Sequence, residues 1–145
     1  MDISVHERPL RDGWLAETLM QQNLFINELQ KIVGKDAVLV SPADRAVYSY
    51  DAGHDRRLPD VVVLPATTEH VRDVVRVAAR AGVPVVPRGA GTGLSGGSVP
   101  IQGGLVLVTS RLRRLREINA EDRAAIVEAG VVTTALAAAV APYGL

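Results

Sequence analysis

Pro87, Arg88, Gly89, Ala90, Gly91, Thr92, Gly93, Leu94, Ser95, Gly96 and Gly97 form one unbroken run in which the backbone itself is the chemical group on offer. Five of the nine residues in 89–97 are glycine. Each glycine loses about 0.5–1 kcal/mol more than alanine on ordering, so a run this dense needs a reason. Glycine reaches positive φ and lets a ligand touch the main chain, and successive N–H groups can then converge on an anion. A hydrogen bond to a charged acceptor contributes about 1.5–3 kcal/mol, so a few such donors would hold a diphosphate. Thr92, Ser95 and Ser98 add hydroxyl groups, and Arg88 adds a positive charge to help neutralise the anion.

Two known phosphate motifs are tested against this run. A P-loop ends in lysine followed by serine or threonine, and the run contains no lysine. Gly91, Gly93 and Gly96 do match G-x-G-x-x-G, and Glu117 follows about 20 residues on, where an acidic ribose partner belongs. That fingerprint must open a helix. Here Ser98, Val99 and Pro100 follow, then Gln102, Gly103 and Gly104, which read as an extended loop. An ordinary NAD-binding unit is therefore rejected.

The loop needs elements to carry it. Before it, residues 61–64 are a continuous apolar run, read as a buried strand that Pro65 stops. Thr67 or Thr68 caps the next helix, with Glu69 in its first turn. Val71, Val74, Val75 and Ala78 are spaced for its apolar face, and Gly82 with Pro84 ends it. Residues 83–86 make the next strand. This is a β-α-β unit with parallel strands, and the glycine run leaves its second strand at the usual ligand edge of such a sheet. Leu105–Val108 and Ala124–Val127 are two more strands, and Thr133 or Thr134 caps an alanine-rich helix to about Val140. Upstream, residues 15–33 read as a helix with Phe25, Leu29, Ile32 and Val33 on one face, and Gly34 closes it. Residues 38–40 are extended, residues 44–50 are either one helical turn or a loop, and residues 51–59 read as a polar surface loop. Residues 1–14 read as a tail. The division expected is a tail and helix over 1–34 and the main domain over 35–145.

Composition narrows the classes. The 16 basic and 16 acidic residues cancel, which argues against a general nucleic-acid binder. Cysteine is absent, so disulfides, thiol nucleophiles and cysteine-ligated metals are excluded within this chain. Aromatics are only 3%, and a core of valine, leucine and alanine suits a sheet buried on both faces and covered by helices. No apolar run approaches the ~20 residues of a membrane span, and the first residues lack a signal-peptide core, so a cytoplasmic protein is expected. The fold class expected is α+β, with β-α-β units and a mostly parallel sheet covered by helices.

Residues 59–65 (Pro-Asp-Val-Val-Val-Leu-Pro), 83–97 (Val-Pro-Val-Val followed by the glycine run), 103–108 (Gly-Gly-Leu-Val-Leu-Val) and 127–131 (Val-Glu-Ala-Gly-Val) resemble the FAD-binding domain of the vanillyl-alcohol oxidase and p-cresol methylhydroxylase superfamily. Within it they look most like the glycolate oxidase catalytic subunit and D-lactate dehydrogenase group. The resemblance spans about residues 38–145 and implies the first half of such a domain. It implies that residues 87–97 bind the FAD pyrophosphate through backbone N–H groups, with Gly130 at a second approach to the flavin. Relatives with covalent flavin often carry histidine where this chain has Thr92, so non-covalent FAD is implied. The family commonly has proline where this chain has Ala129. Family members continue into a second flavin-contacting segment and a substrate domain that holds the catalytic and metal-binding histidines. The resemblance thus implies half a cofactor site here, with no catalytic or metal-binding residue. The full-length protein would act on a 2-hydroxy acid, alone, as a homo-oligomer or with partner subunits. The competing readings are a non-catalytic nucleotide- or diphosphate-binding fragment, and an assembly module completed by a partner chain.

Other residues are given no chemistry. His6, His54 and His70 lack metal-ligand spacing and read as surface residues. Arg111, Arg113, Arg114 and Arg116 read as a solvated basic edge, and Trp14 and Phe25 as packing residues.

Overall fold

The computed structural model describes residues 19–145. The expected tail, the first residues of the helix, His6 and Trp14 lie outside them. Helix α1 (Leu19–Val33) buries Phe25 and Leu29, one turn apart, and ends at Gly34, whose φ of 88° lies in the glycine region. A 3₁₀ turn leads into β1 (Val38–Leu39). Helix α2 (Pro42–Ala46) starts at Ser41, whose hydroxyl accepts from the Asp44 N–H. The helical turn expected within 44–50 therefore lies a little earlier.

A four-stranded sheet runs in the order β1, β2 (Val61–Val63), β4 (Leu105–Val108), β3 (Val85–Arg88). β1 is antiparallel to β2, while β2 and β3 both lie parallel to β4. The β-α-β unit through α3 (Thr68–Arg80) is present, and its two strands are parallel but separated by β4. All residues of β2 and β4 are buried, as two-sided burial of a valine-rich strand requires. Val61, Val63, Leu105 and Leu107 face the helices and share one apolar cluster with Phe25, Leu29, Val74, Val77 and Ala78. Val62, Val106 and Val108 face the other way, against Leu39, Tyr48, Leu64 and Val86. Helical residues thus pack into the first cluster only.

Thr67 caps α3 by accepting from the His70 N–H. On its apolar face Val77 is buried, whereas Val75 is 41% exposed. Val74, Val77 and Ala78 follow the i, i+3, i+4 rule, which turns Val75 onto the flank. At the other end the Gly82 N–H donates to Ala79 and the Val83 N–H to Ala78, a Schellman motif. Val83 has therefore spent its donor on the helix and Pro84 has none. That is why β3 begins at Val85, two residues later than expected, and reaches Arg88.

The C-terminal part holds a second, two-stranded sheet. β5 (Leu115–Asn119) and β6 (Ala124–Val127) form an antiparallel hairpin, and β5 lies partly in the stretch read as a basic edge. α4 (Thr133–Val140) begins after Val132, so Thr133 is its first residue and no side chain caps it. β6 and α4 are apolar, yet neither buries a residue. Buried Glu128 ties the start of the hairpin together. Its Oε2 accepts from the Arg114 N–H at 2.9 Å, and its Oε1 meets Arg114 Nε at 3.0 Å and Arg116 Nη2 at 3.1 Å.

The Arg114 N–H, followed by the two guanidinium groups, holds the Glu128 carboxyl below its ordinary pKa of 4.5. A carboxylate with a lowered folded pKa stabilises the fold above its unfolded value and loses that contribution as pH falls through the lowered one. Glu128→Gln should therefore be less stable than the parent at neutral pH, by urea denaturation. The difference should shrink as pH falls below 4.5. A difference that stays constant across that range would contradict the account.

Candidate functional site

β2, β3 and β4 run parallel, so Val63, Arg88 and Val108 end at one edge of the sheet. The glycine run leaves that edge at Arg88 and returns to the start of the neighbouring strand at Leu105. Adjacent parallel strands are usually joined by a helix. Residues 89–104 contain no helix, as expected when the dinucleotide fingerprint was rejected. The return is fixed at Gly104, whose N–H donates to Asp60 Oδ2 at 2.6 Å and whose φ is 91°.

The N–H groups of residues 90–98 donate to no protein acceptor among the described residues. Such groups are seldom left without a partner except where water or a ligand takes them. Gly89, Ala90, Thr92, Gly93, Leu94, Ser95 and Gly97 are exposed, and a Cβ added at Gly89, Gly93 or Gly97 would meet nothing within 4 Å. The loop thus offers uncommitted main-chain donors in an exposed stretch. Such a stretch fits an extended anion such as a diphosphate, with the Thr92 and Ser95 hydroxyls beside it.

The opposite side of the loop is held by residues 48–55. The Ala52 N–H donates to the Gly93 carbonyl at 3.0 Å. Asp51 is 5% exposed, and its Oδ1 accepts from the Gly53 N–H at 2.8 Å. Its Oδ2 is buried with no hydrogen-bond partner among the described residues. A Cβ on Gly53 would lie 2.9 Å from the Leu94 carbonyl oxygen, so only glycine lets the two segments approach this closely. Tyr50 pairs with Arg56 across an isolated bridge, and the Arg56 guanidinium lies 4.9 Å from the Tyr50 ring centre. The surface-loop reading of 51–59 therefore misses a clasp. The signal was there, since aspartate two residues before glycine is the pattern of an Asx-turn.

Arg88 is 7% exposed and points into the protein. Its Nη1 donates to the Tyr50 carbonyl at 2.7 Å and to Ser98 Oγ at 3.3 Å, and its guanidinium lies 5.8 Å from the Tyr48 ring centre. No carboxylate among the described residues forms an ion pair with it. Gly91 arches directly over it with φ 74°, and a Cβ there would run into the guanidinium. Ser98 Oγ is thus an acceptor for Arg88.

Gly130 lies beyond the hairpin, with its N–H donating to the Leu112 carbonyl at 2.8 Å. A Cβ there would clash with the Thr109 and Leu112 carbonyls, so close packing alone requires glycine. The Thr109 hydroxyl lies within 3.4 Å of the Arg88 carbonyl and 3.3 Å of the Ala129 carbonyl, which joins this turn to the root of the loop.

A family described as an FAD binding domain matches residues 59–145. Among curated proteins, the chain is 38% identical over 119 residues to "Glycolate oxidase subunit GlcD" of Bacillus subtilis (strain 168), covering 81% of this chain and 25% of the relative. It is 38% identical over 126 residues to the D-lactate dehydrogenase of Archaeoglobus fulgidus, covering 83% of this chain and 27% of that one. The chain thus spans about a quarter of the length of these relatives. Among solved structures, p-cresol methylhydroxylase with substrate bound shares the fold, with a TM-score of 0.78 over 88% of this chain and 26% of that one, at 22% identity.

The two central glycines of the loop should respond differently to mutation. Gly91 has positive φ and a guanidinium beneath it, so Gly91→Ala should cost about 1–3 kcal/mol of stability. Gly93 has neither constraint, so Gly93→Ala should stay within about 0.5 kcal/mol of the parent. Equal losses in urea denaturation would contradict the assigned geometry.

Proposed function

The chain belongs to the FAD-binding domain family, and on that premise we propose that residues 87–97 hold the diphosphate of a non-covalently bound FAD in a flavin-linked oxidoreductase. The observation that carries this reading is the set of consecutive N–H groups, residues 90–98, without an acceptor among the described residues, at the C-terminal edge of a parallel sheet. Those donors would take the diphosphate oxygens, with Thr92 and Ser95 adding hydroxyls from the same stretch and Gly130 lying near the flavin end. FAD bound here supplies the two-electron acceptor for hydride leaving the α-carbon of a 2-hydroxy acid. Glycolate and D-lactate, named in the relatives, are both 2-hydroxy acids, and this supports the substrate class. The part of this chain is to bind and orient the cofactor, and none of its residues is assigned to the substrate or to a metal. The B. subtilis relative is named as a subunit, and the apolar exposed surfaces of β6 and α4 suit further protein packed against them, so partner subunits belong to the proposal. No helix among the described residues is long and apolar enough to cross a membrane. A cytoplasmic location is part of the reading.

The test is flavin binding to the complete protein that carries this chain. FAD should bind, and none of it should stay attached to residues 1–145 after acid precipitation and proteolysis, because this chain has no cysteine and Thr92 offers no linking nitrogen. Gly93→Val should weaken binding by roughly 100-fold or more, since its side chain would fill open space beside the loop that the diphosphate needs, and each charge-assisted bond so blocked contributes about 1.5–3 kcal/mol. Glycolate or D-lactate added without oxygen should bleach the bound flavin. Flavin retained on a peptide from residues 1–145, or a Gly93→Val protein that binds FAD within threefold of the parent, would overturn the reading.

A further inference from the structure

Arg88 is the one cation in the glycine run, and a contact with the bound diphosphate is the obvious role for it. Its geometry points elsewhere. The side chain is 7% exposed, and Nη1 is committed to the Tyr50 carbonyl and to Ser98 Oγ, at 2.7 and 3.3 Å. The two acceptors lie on different segments. Tyr50 opens the clasp, and Ser98 follows the last glycine of the run. One guanidinium therefore joins the start of the loop, where its own backbone sits, to the end of the loop and to the clasp. The Tyr48 ring lies beside it and Gly91 closes over it, so the arch of the loop is built around the guanidinium plane.

We propose that Arg88 is a positioning residue: it is an internal staple that sets the shape of the loop, and it acts on the diphosphate through the N–H groups of residues 90–98 and not by touching it. This rests on the cofactor reading above. Arginine suits the task and lysine does not. A planar, five-donor fork can serve several acceptors and stack on a ring, whereas an ammonium is a point charge on a flexible stem. The staple also accounts for glycine at position 91, since any side chain there would displace the guanidinium.

Two measurements on the complete protein separate the staple from a direct contact. The first is hydrogen exchange without FAD. The Ala52 and Val99 N–H groups donate to the Gly93 and Gly96 carbonyls, so they report whether the loop is held. In Arg88→Met these two amides should exchange at least tenfold faster, while the amides of β2 and β4 keep their rates. The second is FAD affinity, which should fall at least tenfold in Arg88→Met and should not be restored in Arg88→Lys. Unchanged exchange with FAD affinity restored by lysine would show a charge contact and overturn the proposal. So would faster exchange with unchanged FAD affinity, or an equal loosening of β2 and β4. If Arg88→Met does not fold, Ser98→Ala removes one acceptor and keeps the arginine. It should loosen the Val99 amide and weaken FAD by a smaller factor, and no change in either would overturn the staple. If the parent itself fails to bind FAD, the cofactor reading falls, and the exchange arm still decides whether Arg88 holds the loop.

Discussion

A buried guanidinium is costly, and the loop of residues 89–104 is organised around one that has no carboxylate partner among the described residues. Arg88 is the last residue of β3, so the sheet fixes its backbone. Its side chain then reaches the Tyr50 carbonyl and Ser98 Oγ. From that one group follow the close approach of the 48–55 segment and the glycine at position 91. The loop needs such support because its own N–H groups make no internal bonds over residues 90–98. A glycine-rich stretch would otherwise sample many conformations, at about 1–2 kcal/mol of entropy per residue to order. Holding it in this way leaves those donors free for a ligand.

The sheet was legible because its residues obey strong local rules. Val61–Val63 and Leu105–Val108 are unbroken apolar runs, and in the fold they are buried on both faces. The Thr67 cap and the Gly82 stop bound α3 as their residue types require. The glycine run stood out because so many glycines in one place need a ligand or a turn to explain them. Strand order was not legible. Nothing local in Val85–Arg88 or Leu105–Val108 states that β4 enters between β2 and β3, since that choice is made by packing across the sheet.

The misses share a cause. Asp51, Ala52 and Gly53 look like ordinary turn residues, and only their contact with Gly93 and Leu94, some forty positions away, gives them a role. The partners of Arg88, the Tyr50 carbonyl and Ser98 Oγ, lie 38 and 10 positions away and follow from no local pattern. β5 was hidden because Leu115–Asn119 shows no clean alternation, and its partner in the hairpin supplies the order. β6 and α4 present the reverse problem. Their apolar residues predict burial, and the described residues do not cover them. The matched part of this chain spans about a quarter of the relatives' own length.

The central claim is that main-chain N–H groups of the glycine loop hold the cofactor's diphosphate. Hydrogen exchange of the complete protein, with and without saturating FAD, tests it directly. Without FAD the amides of residues 90–98, which have no acceptor among the described residues, should exchange fast. With FAD a contiguous set of them should become protected by at least tenfold, as charge-assisted bonds form. If FAD binds and protection appears instead in the cleft between α3 and the hairpin, around Thr68, Val71 and Ile126, with the loop unchanged, the loop is not the diphosphate site.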